Sequence, residues 1–388
     1  MRHAPVRLPC VIPRLVALLC SAAVLACSSE DALPTSASPA PLDARPAAAL
    51  AFGPATPVPV PADCPETVPA HVNARGVIVG FTGGPCFGDP NAQAFRLYPD
   101  GTFDSLPEPY GQPVSPIVIG PHDEVYAIVQ NPDPNGGQLV AVIDAAGRLT
   151  WLPLPADGRS YGVSGHPNGR GTFVIYGGAP NGTVEFFLWN GRGRFEPLPM
   201  PPDGQLFQAN GLNDRDEVVG TMYTGDRQYA ATWSRRDGYT VLPLPSSALY
   251  GSTGDLIDNH GRVYGRTQVV KDSSCPDWST GTTAPTVWNG RDTVRVLANV
   301  PVRCLTAVYW QAATDGGLAV GTLWGDPLSP SILTTFAFLA TSDGRLALAP
   351  CTDCTAAGID RHEVVVGKMP TDDRSAYRTV TWPVNTKP

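Results

Sequence analysis

The chain is short of charge, and of positive charge above all. Its 388 residues hold 27 Lys or Arg against 35 Asp or Glu, and charged residues make up only 16%. A nucleic-acid binder neutralises phosphates with a basic stripe; no such stripe occurs here, so that class is excluded. Beyond the first thirty residues no apolar run reaches the about 18 residues a membrane-crossing helix needs. Fixed-spacing catalytic signatures are missing as well: there is no Ser-His-Asp order, Walker loop, HExxH or dinucleotide fingerprint. What is abundant is punctuation. With 40 Gly and 42 Pro, the sequence favours many short strands over long helices.

The amino terminus reads as a targeting segment. Arg2, Arg7 and Arg14 precede the apolar run "LVALLCSAAVLA", which ends in small residues. With "VLAC" at Val24 to Cys27, it resembles a bacterial lipoprotein signal carrying a lipobox. That resemblance implies a signal peptide over residues 1–26, cleavage before Cys27 and a diacylglyceryl thioether on its sulfur. Ser28 after the cysteine resembles outer-membrane sorting. Cleavage removes three arginines and no acid, taking the formal net charge from −8 to −11. An acidic body is repelled by anionic headgroups, so the lipid provides the membrane attachment. Residues 27–51 are Ala, Pro and Ser with little to bury, and read as a disordered tether.

Beside the lipid-bearing Cys27, six cysteines remain in the mature chain: Cys64, Cys86, Cys275, Cys304, Cys351 and Cys354. An even number behind a secretion signal predicts disulfides in an oxidising compartment. Proximity along the chain suggests Cys64 with Cys86, Cys275 with Cys304, and Cys351 with Cys354. The Cys351-x-x-Cys354 spacing also fits a zinc half-site, but there is no second CxxC.

From Phe52 onward a unit of roughly 45 to 50 residues repeats, the signature of stacked or radial architectures. It contains an apolar segment ending in a turn, a "GxVxG" variant, an aromatic run such as "EFFLW" (Glu185 to Trp189), and an "LPLP" segment such as "GYTVLPLP" (Gly238 to Pro245). Each part is strand-sized and bounded by turn formers, which predicts four antiparallel strands per unit, designated a to d. The turns after strand a fall at Asn73, Gly120, about Pro167, Asn213, Asp258, Thr314 and Asp360. The expected fold over 52–388 is therefore all-β: a seven-bladed β-propeller of four-stranded antiparallel blades. The last unit lacks its "LPLP", and "FGPATPVPVP" (Phe52 to Pro61) resembles the missing strand d, so the amino terminus is expected to close the ring. The pattern "N-x-x-G-x-V-x-G … AF-L-W … LP" resembles the HAF repeat family of extracellular bacterial proteins. That resemblance implies a propeller and no defined activity.

The acid-rich stretch "NDRDE" (Asn213 to Glu217) recurs in the same place of several units, which identifies it as an a-to-b turn rather than an active site. His71, His122, His166, His260 and His362 all fall near these turns and read as solvated turn residues. The opposite face carries the b-to-c and d-to-a loops, all six cysteines, and the candidate binding residues Asp89, Asp133, Asp226, Asp277, Trp278, Trp324, Asp326 and Asp372. The tryptophans suit stacking on a sugar ring or anchoring a partner. Aspartates suit calcium only weakly, since the alternating carboxylates of a calcium loop are missing. The first functional expectation is a monomeric, lipid-anchored module at the outer membrane that binds a carbohydrate or an envelope protein without catalysis and without a cofactor. The alternatives are a propeller enzyme acting on glycans as lyase or hydrolase, and a structural scaffold of an outer-membrane assembly.

Overall fold

In the computed structural model, the described residues are 50–60, 66–82, 93–112, 114–130, 138–152, 160–178, 182–190, 195–202, 205–269, 282–297, 300, 303–326, 334–374 and 376–386. They belong to one compact unit, Ala47–Pro388. The signal and its Cys27, and nearly all of the tether, lie outside them. One end of the tether does not: Ala51–Phe52 is already a strand, and Leu50 packs against the carboxy-terminal core.

Among the described residues the regular structure is β, with short 3-10 stretches at Pro109–Gly111 and at Pro202. The strands form six hydrogen-bonded sheets of antiparallel meanders in chain order. Five are single blades. Four of these have four strands each, beginning at Thr67–Val72, Ser115–Ile119, Ser160–Ser164 and Arg303–Ala313. The fifth combines Thr355–Ile359, Val364–Pro370 and Tyr377–Asn385 with the amino-terminal strands Ala51–Phe52 and Thr56–Pro57. The sixth sheet corrects the expectation of separate blades. It has eight strands, in two four-strand meanders starting at Leu206–Leu212 and Ala248–Ile257, joined by the parallel pair Gln228 with Gly251. Only glycine allows this contact, because a Cβ on residue 251 would overlap the Gln228 carbonyl oxygen.

Two repeated devices explain why the motifs look as they do. In "GxVxG" the last glycine lies under strand a, where a Cβ would overlap a main-chain oxygen: Gln208 for Gly220 and Thr253 for Gly265. A β-bulge in strand a creates this crowding; register slips occur between Ala209 and Gly211, Gly254 and Leu256, and Trp310 and Ala312. In "LPLP" the first leucine is a buried peg whose amide bonds strand c: Leu106 to Ala94, Leu152 to Val140, Leu198 to Phe186 and Leu242 to Ala230, at 2.8 to 3.0 Å. The proline after it removes a donor that an outermost strand does not need. Val58 of the amino-terminal segment makes the same bond to Thr379, 3.0 Å.

The core is a circuit of interfaces rather than one centre. Val79 and Leu106 meet Ile119 and Ala127. Tyr126, Phe173, Trp189 and Trp233 carry the core onward. Leu242 then meets Trp288, Tyr264 meets Trp310, and Leu339 meets Trp382. Val366 finally packs on Val72 and Phe95 of the first blade. Each neighbouring pair of meanders thus shares a cluster, and Phe52 enters that of Leu339 and Trp382, edge-to-face with Trp382 at 5.7 Å. Arg96, in a position where other units carry Val, Leu or Thr, is fully buried as a clamp. Its guanidinium donates to the carbonyls of Asp123, Asp144 and Ala145 in the second blade, each at 2.9 Å.

Candidate functional site

The a-to-b turns build one mouth of the central channel. Most of these turns fold around a side-chain acceptor: Asn213 Oδ1 accepts the Arg215 and Glu217 amides at 3.0 and 3.1 Å, and Asp258 and Asp360 do the same in their units. Asp216 then takes φ 58°, where the corresponding residues elsewhere are Gly76, Gly171 and Gly261. The amide nitrogens of the asparagines reach across to the next unit. Asn73 bonds Gly120 O, Asn168 bonds Asn213 O, and Asn213 bonds Asp258 O, each at 3.0 Å. Asn168, not Pro167, is therefore the turn residue of the third unit, and that turn is no longer than the others. One residue further on, Asp214 accepts from Gly169 N and exchanges bonds with Asn259, which in turn donates to Asp315. The acids of "NDRDE" are thus used to tie unit to unit, with Asp216 also paired to Arg170 and Arg235 at 2.7 and 3.0 Å.

Below this rim lies a cavity of about 530 Å³ whose lining includes Val72, Ile119, Leu212, Leu256, Ala312 and Ile359. Two histidines line it as well, which corrects the reading of all five as solvated. His122, His260 and His362 are exposed, but His71 and His166 stack at 4.3 Å between ring centroids. Their strands belong to the first and third blades. His71 Nδ1 accepts the Ile119 amide of the second at 3.4 Å, and His166 bonds the Gln311 backbone, in a strand of another sheet. The Nδ1 of His166 is sealed from solvent without a hydrogen-bond partner, although part of the residue stays open to the cavity. Burial pushes His166 down to about 4. It pushes His71 well below the usual imidazole range too, with the neighbouring His166 adding to the effect. Both rings are held neutral and join three neighbouring blades to a fourth strand beyond them.

One carboxylate stands apart from the rim. Asp255 occupies the bulge of its strand, and burial raises its carboxyl to about 6, with Arg266 3.6 Å away pulling in the opposite direction. Its Oδ2 is buried and accepts no hydrogen bond. Reading the sequence alone passed over it, since a bulge slips strand periodicity by one and hides which residues turn inward. The signal that was available is an acid inside the otherwise uncharged run "GSTGDLI".

The face singled out from sequence is described only in part. Cys64, Cys86, Asp89, Asp133, Cys275, Asp277 and Trp278 lie outside the described residues, as does the side chain of Asp326, whose backbone ends a strand. Cys351 and Cys354 form a disulfide with each other, and Cys304 is also disulfide-bonded. Asp226 belongs to a two-residue hairpin loop with Gly225 at φ 61°, so its place there is turn chemistry. Asp372 is exposed, 3.4 Å from Arg378, and lines with Cys351, Phe336 and Met369 a second, shallower cavity of about 500 Å³. Trp324 is exposed and meets Tyr309 edge-to-face at 5.8 Å. Asp226, Trp324 and Asp372, the candidates among the described residues, share no cavity. Among the described residues no three His, Cys, Asp or Glu stand close enough to hold a metal ion.

The chain matches no protein-family model and no curated protein. Among solved structures it is similar to the β-propeller domain of the trilobed protease from Pyrococcus furiosus, with TM-score 0.51 and 12% identity over 82% of this chain and 95% of that one. The acylaminoacyl peptidase of Pyrococcus horikoshii aligns with TM-score 0.50 and 11% identity, over 83% of this chain and 52% of the other. A streptogramin B lyase aligns with TM-score 0.48 and 12% identity, over 86% and 98%. At such identities the likeness concerns the fold, and the chain is an all-β propeller of four-stranded antiparallel blades.

Proposed function

We propose that this protein is a lipid-anchored binding module of the bacterial envelope, attached through Cys27 and facing its partner with a propeller of the HAF-repeat kind. In this reading the eight-stranded sheet counts as two blades of a monomeric seven-bladed ring, a count supported by its two four-strand meanders. The partner is a carbohydrate or an envelope protein, and recognition does not depend on chemistry performed on it. The observation that carries this reading is the use of the rim carboxylates: Asp214, Asp258 and Asp360 are engaged in turn and blade-to-blade hydrogen bonds, which suits a rigid frame better than proton transfer.

A panel of envelope polysaccharides titrated against the full chain, with calcium and with chelator, tests the reading. Saturable binding without product formation supports it. Calcium dependence would make the Asp-bearing loops part of the site, and turnover of any glycan would replace it with the enzyme alternative. That alternative has its own support in the channel, where the neutral His166 lining the cavity has the properties of an acid–base group. Its discriminator is His166→Gln, which abolishes turnover in an enzyme and leaves turnover-free binding intact in a module.

A further inference from the structure

Tyr309 and Trp324 are the large aromatics left open on one blade, 44% and 41% exposed. They sit on adjacent strands: Tyr309 pairs with Thr322, and Trp324, two residues on, pairs with Ala307, so the rings meet diagonally on the same face. Their positions are held. The Thr306 hydroxyl donates to the Trp324 carbonyl at 3.1 Å, and Val308 and Trp310 on either side of Tyr309 are buried in the interface core. The Arg266 guanidinium of the neighbouring unit lies 6.0 Å from the Tyr309 ring centroid. Arg266 is itself fixed by a 2.9 Å bond to Val308 O and by Asp255 at 3.6 Å, yet a third of its side chain reaches solvent.

We infer that Tyr309, Trp324 and Arg266 form a glycan subsite that stacks a neutral pyranose on the aromatic pair and hydrogen-bonds its hydroxyls through the guanidinium. This rests on the carbohydrate form of the proposed function and names its residues. The apolar face of a pyranose is a row of C–H groups that an aromatic ring covers well, and a planar fork of N–H donors suits vicinal hydroxyls. The sugar is neutral because of charge. Asp255 offsets Arg266, and the acidic chain around the site repels anionic polymers. An exposed aromatic pair on rigid strands costs little entropy to order on binding, which is the usual economy of a binding hot spot.

The test uses the full-length chain and cellohexaose, chitohexaose and mannohexaose as probes, read by calorimetry and tryptophan fluorescence. Trp324→Ala and Tyr309→Ala each lower affinity for the bound probe at least tenfold. Trp151→Ala, an exposed tryptophan on another blade, changes nothing, and all three variants keep the parent melting temperature. If Trp324→Ala does not fold, Tyr309→Ala and Arg266→Gln decide in its place. Binding that survives Tyr309→Ala and Trp324→Ala overturns this subsite while leaving a carbohydrate-binding module standing. No binding of any probe at 10 mM overturns the subsite and shifts the function to a protein partner, sought by crosslinking in intact cells.

Discussion

Acid acts on this propeller through its buried titratable groups, and the expected size follows from two of them. An unfolded imidazole takes up a proton below its ordinary value of 6.5, whereas His166 in the folded chain does so only at about 4. The folded state therefore binds fewer protons, so the stability supplied by a neutral His166 is intact above pH 6.5, falls as pH drops and is fully lost below about 4. Between pH 7 and 5 the linkage amounts to about 2 kcal/mol for this residue alone. His71 works in the same direction. Asp255 works against them: its folded carboxyl protonates at about 6 instead of 3.8, so over the same interval it returns about 1 kcal/mol. Urea denaturation of the parent, His166→Gln and Asp255→Asn at pH 7, 6 and 5 separates these contributions. The parent loses stability toward pH 5, His166→Gln loses about 2 kcal/mol less, and Asp255→Asn loses about 1 kcal/mol more. Equal pH slopes for the parent and His166→Gln would refute the channel as the origin of acid sensitivity.

Three further outcomes come from the ring itself. Phe52→Ala removes an aromatic packed on Trp382 and lowers stability by about 3 kcal/mol, and deletion of residues 50–58 costs more because it also strips the bonds from Gly53 to Pro383 and Val58 to Thr379; an unchanged melting temperature on deletion contradicts closure by the amino terminus. Asn213→Ala leaves two turn amides and the Asp258 carbonyl unbonded, for a loss of about 2 to 4 kcal/mol by chemical denaturation. Asn213→Asp keeps the turn acceptor but sets a second carboxylate where Glu217 Oε2 now takes a bond at 2.7 Å, so it does not restore parental stability. Arg96→Met removes the donor from three carbonyls of the next blade and lowers the urea midpoint by the equivalent of about 3 kcal/mol; a change under 1 kcal/mol shows that water replaces the clamp.

Period, strand order and turn chemistry were legible in the residues because they are local. The Asn213 and Asp258 acceptors, the left-handed fourth turn position, the glycine after "GxV" and the leucine before proline each satisfy a constraint within one unit, and repetition multiplied the signal. Phe52 to Pro61 could be assigned to the last unit for the same reason, since it fills the one place the pattern left open. What the chain alone left undetermined depends mostly on contacts made when separate strands and units pack together. Gly251 approaching Gln228 fuses two meanders into one sheet, and no spacing rule announces it. His71 and His166 looked like solvated turn residues because turns are usually wet; only the convergence of strands a on a common axis stacks them and takes their charge away. A bulge turns Asp255 inward, and pairing of adjacent strands within one blade joins Tyr309 to Trp324. Burial and electrostatics are properties of the assembled ring, and the sequence carries them only once the third dimension is specified.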